Sequence, residues 1–546
     1  MKLSVCATLI SLSLLVGCQS TPSADNSSLS ENSSNPSSDI AKSTNNDAAD
    51  SVDIICPQLG IQPVTVAVSD LWADGEVVTD AYTGRIAQVK NGSVTLTPSR
   101  HSGGLLLLES KKEEVPFQWK NATFYHIATD RFFNGNSWND HSYGRQKTAQ
   151  GFQGGDIAGL TQKLDYLAEL GVDVLWLSTP LEQVHGWLPG KNGNSPEYPY
   201  AGGATLDWTQ LDTNMGTEQE MRTFVDSAHQ LGMRVVWSVD TVPSEPSLAD
   251  LQQFNIQPKD ASDLPSYWNE WQPKDGQNLT NYLDAFKDEN GQIPQWWSPA
   301  WSDPSSEGNI STPEFFANKP VTNVAQVSRA KNEVLTQWIT TWVAKFGIDG
   351  VVLSDSTPQL TQKIEASASK AFELWKTHNQ YKALESSSFL VVDLNEKESF
   401  KPQIVSMQKN KDQCFSQFTY RLSMTEKSHD LYAINWFEER GLDELSEANY
   451  SEYRDTASAL LLSQGNLAIW YGDETAKSGE AYSEMNWDQM TGLRLSLMSH
   501  WKKLLAFRAN HSALSDGEYQ VIENNSYYAF IRKNKSDNVM VVYTGE

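Results

Sequence analysis

Apolar segments of strand length alternate with amphipathic segments of helix length along most of this 546-residue chain. Residues 171–177 and 234–239 are two such strand patterns, and the helical patterns 160–170 and 218–231 precede them. Further members of the series lie at residues 334–346 (helical) and at 350–353, 388–392 and 466–470 (apolar). Continuous apolar strands that alternate with helices are typical of a parallel sheet covered on both faces. For residues 116–512, the simplest closed form is a TIM (β/α)8 barrel with insertions.

Both ends of this region have a different pattern. In residues 53–115, short runs alternate between apolar and polar side chains, at residues 64–68 and 93–97. Asn91-Gly92 precedes the second run and is typical of a tight turn between strands. These residues predict a small N-terminal β-domain. The strand pattern returns in residues 513–546, which predict a short C-terminal β-element.

The first residues carry the pattern of an export signal. Lys2 is followed by an apolar run, residues 3–16, which is too short for a stable membrane anchor. The run ends in Leu-Val-Gly-Cys at Cys18, which resembles a bacterial lipobox in which the cysteine is acylated. An ordinary signal peptide with a chance cysteine is the alternative. Gln19, rather than an aspartate, follows, so residues 1–18 predict export to the outer membrane, on its periplasmic face or at the cell surface.

Residues 19–52 are rich in serine and asparagine and have almost no apolar side chains. Such a segment cannot bury a core, so we expect a disordered tether. Beyond it, Cys56 and Cys414 are the cysteines that remain once Cys6 and the lipid-bearing Cys18 are set aside. An oxidising compartment favours a disulfide between them, and two unpaired buried thiols are the alternative.

The composition argues against some classes of partner. The formal net charge is −26, which disfavours nucleic acid and anionic lipid headgroups. We therefore expect no nucleic-acid partner, and contact with a membrane only through the lipid anchor. The 19 tryptophans suit stacking on sugar rings, although a large barrel also buries many aromatic side chains.

Four motifs, in order along the chain, carry a family resemblance. They are residues 124–135 (FYHIATDRFFNG), 151–160 (GFQGGDIAGL), 470–474 (WYGDE) and 485–488 (MNWD). Together they resemble glycoside hydrolase family 13, the α-amylase family, and in particular its periplasmic members from Gram-negative bacteria. The resemblance implies a (β/α)8 barrel that cleaves or transfers α-1,4-glucosidic bonds with retention. That chemistry needs a carboxylate nucleophile and a carboxylic acid about 5–5.5 Å apart.

The positions at which the family carries its catalytic groups hold other residues in this chain. Ser354 stands at the nucleophile position, Leu394 at the general-acid position and Val352 at the arginine position. The further positions of the family's aspartates, histidines and an asparagine hold Ser238, Val242, Pro243, Phe437 and Glu438. Serine cannot replace the nucleophile without a nearby base.

Neighbouring acids are candidates to replace the lost groups. Asp355, Asp393 and Glu438 are therefore the candidate catalytic residues. Asp355 and Asp393 each lie one residue away from the expected position, and a shift of one residue turns a strand side chain to the opposite face. Each would need a β-bulge to face the barrel interior. Asp240 lies two residues after Ser238, so it keeps the face but sits further along the strand.

Some groups that could bind sugar remain. The resemblance indicates His185, Trp187, Arg440 and Tyr125 as substrate-binding candidates, with a purely structural role as the alternative for Trp187 and Tyr125. We expect no cofactor, because Val242 replaces the asparagine that the family's calcium site uses.

The sequence thus predicts an α-amylase-family lipoprotein of carbohydrate metabolism with impaired catalysis, which binds α-glucan, maltodextrin or a protein partner. The alternative is an active α-1,4-glucan hydrolase whose catalytic carboxylates have been relocated.

Overall fold

The computed structural model of the chain describes residues between Ile54 and Gly545. Within that span it does not describe residues 113–114, 141–151, 184–187, 190–195, 198–204, 242–255, 259–270, 274–323, 355, 380–383, 385–386, 395–401, 406–413, 426–430, 435–443, 479–481 and 523.

The strands, in chain order, are β1 Val64–Ala67, β2 Val77–Asp80, β3 Arg85–Gln88, β4 Ser93–Leu96, β5 Leu105–Glu109, β6 Thr123–Ile127, β7 Val174–Leu177, β8 Leu181–Gln183, β9 Leu188–Pro189, β10 Pro196–Glu197, β11 Thr205–Leu211, β12 Arg234–Asp240, β13 Ile256–Pro258, β14 Trp271–Pro273, β15 Gly350–Ser354, β16 Leu390–Asp393, β17 Pro402–Val405, β18 Leu431–Ile434, β19 Asn466–Trp470, β20 Glu518–Ile522, β21 Tyr528–Lys533 and β22 Asn538–Tyr543. The α-helices are α1 Thr129–Phe132, α2 Ile157–Gln162, α3 Leu164–Leu170, α4 Glu218–Gln230, α5 Val324–Phe346, α6 Pro358–Asn379, α7 Phe415–Thr425, α8 Tyr450–Leu461, α9 Leu493–Ala509 and α10 Ala513–Asp516.

The central sheet has eight parallel strands in the order β16-β15-β12-β7-β6-β19-β18-β17. The first barrel strand in chain order, β6, pairs with the last barrel strand, β19, through the register Ile469↔Tyr125. This pairing of first and last strands is the arrangement of a closed barrel, and it confirms the predicted TIM-type fold. In such a barrel, the carboxyl ends of all strands form one rim, where functional side chains collect.

Alternate residues of β12 face opposite layers. In β12, Val235 and Trp237 pack in the core shared with the helices, whereas Val236 belongs to a separate cluster inside the barrel. Phe124, Val174, Val352 and Leu390 are further members of this inner cluster. A period of two therefore decides, for every residue near the rim, whether it faces the barrel interior or the helices.

The unit formed by α4 and β12 shows why the sequence folds in this way locally. Thr217 and Glu220 form a capping box, in which each side chain accepts a hydrogen bond from the other's backbone N–H, at 3.2 and 2.8 Å. Met221, Phe224, Val225 and Ala228 form the buried stripe of the helix. Gly232, with φ of 82°, then reverses the chain into β12 and delivers its carboxyl end to the rim.

The β strands at the two ends of the chain form one sheet, in the order β20-β21-β22-β5-β2-β3. The β1–β4 pair covers one face and encloses a core that includes Val66, Trp72 and Leu106. Leu105 and Leu107 point the other way, into the main core with the barrel helices. The sequence predicted two separate β modules. In the structure their strands form one sheet, because β5 pairs with β22. Hydrophobic periodicity is a local property and cannot predict a pairing between strands so far apart in sequence.

Two details of the barrel differ from the sequence prediction. The helix expected over residues 160–170 is divided between α2 and α3 at Lys163, whose ammonium lies 4.0 and 3.9 Å from the ring centroids of Phe133 and Trp487. Strands β17 and β18 were not predicted. Across the part of the chain that the structure describes, no helix combines the length and apolarity needed to span a membrane.

Candidate active site

Strands β12 and β15 place a serine and a carboxylate side by side at the rim of the barrel. Their register pairs Asp240 with Ser354, and the Ser354 hydroxyl donates a 2.8 Å hydrogen bond to Oδ1 of Asp240. Ser354 lies two residues after Val352, which belongs to the inner cluster, so its side chain shares the inward face. Asp240 keeps the inward face that its spacing from Ser238 predicted.

Leu394 and Asp393 lie on opposite faces at the end of β16. Leu394 packs against the cluster inside the barrel. Asp393 is buried and accepts a 2.7 Å hydrogen bond from the Thr361 hydroxyl of α6. The candidate catalytic role of Asp393 is therefore corrected: its carboxylate faces the helix layer, because no β-bulge shifts the register between β15 and β16.

An aromatic row lies inside the barrel beside these groups. The His126 ring stacks on Trp470 at 4.4 Å between centroids and meets Trp176 edge-on at 4.6 Å. The Trp176 indole N–H donates to the hydroxyl of Ser238 at 2.8 Å. Burial lowers the pKa of His126 to about 3, so its imidazole is neutral at physiological pH. Tyr482, half exposed, continues the row outward through an edge contact with Trp470 at 5.3 Å.

Tyr125 is part of the scaffold, which corrects its candidate role in binding substrate. Its side chain is fully buried on the helix side of β6, and its hydroxyl donates to Oε1 of Glu474 at 2.8 Å. Tyr166 of α3 donates to the same oxygen at 2.5 Å, and the N–H of Gly472 donates to Oε2 at 3.1 Å. Burial raises the pKa of Glu474, and the tyrosine hydrogen bonds oppose that effect.

The remaining candidates lie outside the described residues. Asp355, Glu438, Arg440, His185, Trp187 and Cys18 are in this group. Of the groups that the sequence indicated, Ser354 and Asp240 lie together in the structure. Ser238 accepts a hydrogen bond from Trp176 of the aromatic row. Asp393 and Tyr125 face the helix layer instead of the barrel interior.

The two cysteines of the folded body form a disulfide. Cys56 and Cys414 have Cα atoms 5.8 Å apart and are 358 residues apart in sequence. Next to them, the Ser416 hydroxyl donates to the carbonyl of Ile55 at 2.5 Å, and the Gln417 amide donates to the carbonyl of Ile54 at 3.1 Å. The start of the folded body is thus fixed to α7 by a covalent bond and two hydrogen bonds.

Within the described ranges, no group of three or more histidine, cysteine, aspartate or glutamate side chains could hold a metal ion. The aromatic row was not predicted from the sequence. The signal that could have found it is the period of two, since His126 follows Phe124, and Trp470 follows Ala468, on the inner face.

Comparison with known proteins adds four findings. Residues 126–491 match the family described as "Alpha amylase, catalytic domain". The chain is 32% identical, over 90% of its length and 82% of the relative's, to the periplasmic α-amylase of Escherichia coli. It is 24% identical, over 78% of its length, to a β/α-amylase of Paenibacillus polymyxa, of which the match covers 33%. A crystal structure of the Geobacillus thermoleovorans α-amylase complexed with acarbose aligns with 77% of this chain and 86% of its own, at 17% identity and a TM-score of 0.45.

Proposed function

This chain belongs to the α-amylase family, and on that premise we propose that it is an exported α-glucan-binding protein that has lost glycosidase catalysis. The single observation that carries the proposal is the hydrogen bond from Ser354 to Asp240 at the rim. The position that the resemblance indicates for the family's nucleophile holds a hydroxyl group, and this hydroxyl donates a hydrogen bond to Asp240.

The chemistry at this position supports the proposal. A retaining glycosidase needs a carboxylate that attacks the sugar and a second carboxyl group that protonates the leaving oxygen. Even with Asp240 as a nearby base, the Ser354 oxygen on the anomeric carbon would give an acetal rather than the reactive glycosyl ester of that mechanism, and Leu394 has no proton to give. Loss of a catalytic nucleophile costs on the order of 10⁴–10⁶ in rate.

Binding of α-glucan is the part of the family's function that this chain can retain. Trp470 is partly exposed and meets the half-exposed Tyr482, so these two rings form the accessible end of the aromatic row, whereas Trp176 is buried; flat rings at such an end suit the face of a pyranose. Similarity to a periplasmic α-amylase supports the same class of ligand.

Export and anchoring are also part of the proposal. The relative's periplasmic location and the lipobox at Cys18 support an outer-membrane lipoprotein. Labelling of cells with radioactive palmitate tests this point. We expect label on the full-length protein and none on the Cys18→Ser variant. Unlabelled full-length protein in a strain that labels other lipoproteins would contradict the anchor.

The catalytic part is tested with purified protein comprising residues 19–546. We expect retention on immobilised amylose, and no release of product from maltoheptaose or nitrophenyl maltoside above the rate of a Ser354→Ala control. Turnover that a rim substitution abolishes would overturn the loss of catalysis. Absence of both binding and turnover would overturn the glucan ligand and point to a protein partner.

A second candidate function, an active hydrolase with relocated carboxylates, is favoured by one observation. Asp240 supplies an inward-facing carboxylate at the level of Ser354. If this candidate is correct, Asp240→Asn, Asp355→Ala or Glu438→Gln will each lower turnover by orders of magnitude, whereas Asp393→Asn will act only through stability.

A further inference from the structure

The loop that follows the first barrel strand holds an unusually exposed tryptophan. Trp138 is 92% exposed, and the next most exposed large apolar side chain among the described residues, Ile86, is 69% exposed. An indole ring buries 150–250 Å² when it is covered, so one left in water is a large unused contact surface. We propose that Trp138 is a platform on which an α-glucan chain stacks one glucose ring, outside the barrel mouth. This inference rests on the proposed glucan-binding function.

The turn that carries this ring, residues 134–140, here called the rim turn, is held in a fixed conformation. Asp156 accepts hydrogen bonds from the N–H groups of Gly135 and Asn136, at 3.0 and 2.9 Å, and from the Asn139 amide at 3.1 Å. Within the turn, the backbone N–H of Trp138 donates to the Asn136 side chain at 3.2 Å. The indole is therefore presented on an ordered support, which limits the entropy lost on binding.

Close packing beneath the rim turn fixes it further. Gly135 lies so near α2 that an added Cβ would be 2.3 Å from the backbone nitrogen of Gly159. The same Asp156 caps α2 by accepting from the Gly159 N–H at 2.6 Å. Asp156 thus holds both the rim turn and the start of α2, and the turn cannot fold over Trp138 without loss of the hydrogen bonds to Asp156.

The rim turn lies on the side of the barrel where a glucan would approach. It begins seven residues after β6 ends at Ile127, and the carboxyl ends of parallel strands share one rim. The loop after β19 packs alongside, since the Met485 N–H donates to the carbonyl of Arg131 at 2.8 Å. Trp138 therefore follows the carboxyl end of one barrel strand, and Ser354 and Asp240 are the last residues of two others.

The surroundings of the ring favour a sugar over a protein partner. Its neighbours in the rim turn are asparagine, glycine, serine and aspartate residues. A protein interface needs about 800 Å² per partner around an apolar centre, which a lone ring among polar groups does not offer. A pyranose has one apolar face edged by hydroxyls, and one ring with amides around it matches that pattern. The net charge of −26 also disfavours an anionic polysaccharide.

Binding measurements on three variants of residues 19–546 test the platform. Trp138→Ala should weaken maltoheptaose binding about ten-fold, or 1.4 kcal/mol, in calorimetry, and Trp138→Phe should keep most of the affinity. Leu374→Ala, which truncates a 63% exposed apolar side chain on α6, is the matched control and should bind like wild type. The unfolding midpoints of all variants should agree, because Trp138 has almost no buried contact.

A second readout reports on the indole itself. Oxidation by N-bromosuccinimide, followed by peptide mass spectrometry, should slow at Trp138 in the presence of maltoheptaose and remain unchanged with cellohexaose. Wild-type binding with an unaffected Trp138→Ala variant, or oxidation that maltoheptaose does not slow, overturns the platform and leaves the proposed function standing. Absence of maltoheptaose binding by wild type overturns the proposed function and the platform with it.

Discussion

At the scale of single residues, the position of each side chain relative to the two faces of a strand decides what chemistry the barrel has. Ser354 and Asp240 share the inward face and a hydrogen bond, whereas Asp393 is one residue out of phase and bonds to Thr361 of the helix layer. The sequence predicted this division, because it follows from the period of two. The bond between Ser354 and Asp240 was not predicted, since it depends on the register of two strands that are distant in the chain.

An aspartate placed at the nucleophile position should destabilise the protein. In Ser354→Asp, two carboxylates would stand where a 2.8 Å hydrogen bond exists now, so the pKa of one of them rises above its unfolded value. Such a group binds more protons when folded, and its stabilisation is therefore lost as pH increases. We expect the variant to be about 1–3 kcal/mol less stable than Ser354→Asn at pH 7.5, with the difference shrinking at pH 4. Urea unfolding measures this, and equal stabilities at pH 7.5 would contradict the geometry.

His511 should make stability depend on pH in the neutral range. Burial alone would lower the pKa of His511, but hydrogen bonds to Asp537 at 3.0 Å and Glu109 at 2.7 Å outweigh it and raise the pKa above 6.5. A raised folded pKa gives stabilisation that is complete below about pH 6.5 and is lost as pH rises through the folded value. His511→Gln should cost on the order of 3–5 kcal/mol at pH 6 and clearly less at pH 9. A cost that does not change with pH would show that His511 is neutral in the folded protein.

At the scale of elements, the family motifs that persist are those that hold strands and helices together. Residues 470–474 end β19 and bring Glu474 to the hydroxyls of Tyr125 on β6 and Tyr166 on α3. Periodicity located most barrel strands near their observed ends, because buried parallel strands are continuous apolar runs. It missed β17 and β18, and β17 begins with Pro402 and Gln403 rather than with a continuous apolar run. It also missed the division at Lys163, where contacts with Phe133 and Trp487 accompany the break.

Removal of one tyrosine hydroxyl should measure what this junction contributes. Tyr166→Phe deletes the donor to Glu474 and leaves a buried carboxyl group with one fewer partner, so we expect a loss of about 1.5–3 kcal/mol of unfolding free energy. Tyr482→Phe, on a half-exposed ring, is the control and should change stability by less than about 0.5 kcal/mol. Chemical denaturation compares the two variants. Similar losses of unfolding free energy would show that the hydrogen bond from Tyr166 to Glu474 does not stabilise the protein measurably.

At the scale of the whole molecule, the β module and the barrel share one structural unit. Leu105 and Leu107 of β5 pack into the barrel core, while Phe415 of α7 meets Tyr543 of β22 at 4.7 Å between ring centroids. The sequence predicted strands at both ends of the chain but not their union, because hydrophobic patterning is local and the β5–β22 pairing is not.

Loss of the disulfide should lower global stability. Cys56 and Cys414 are 358 residues apart in sequence, so the disulfide closes a long loop and strongly restricts the unfolded chain. The double variant Cys56→Ser/Cys414→Ser should unfold about 2–5 kcal/mol more easily than the oxidised wild type. Reductant should destabilise wild type to the level of the double variant and leave that variant unchanged. A reductant effect on the double variant would mean that another thiol pair is involved.

The shared sheet also sets an order of events during synthesis. The Thr544 side chain bonds to Gly104 across 440 residues, and β22 is the strand that covers the edge of β5. A ribosome releases β5 long before β22, so four consecutive leucines, residues 105–108, stay without the β22 strand until residues 538–543 have been made. Open apolar edges of this kind recruit other chains. The interval between the two strands is therefore the period in which a nascent chain most needs a holdase, and a stop codon shortly before residue 538 should yield aggregated rather than shortened soluble protein.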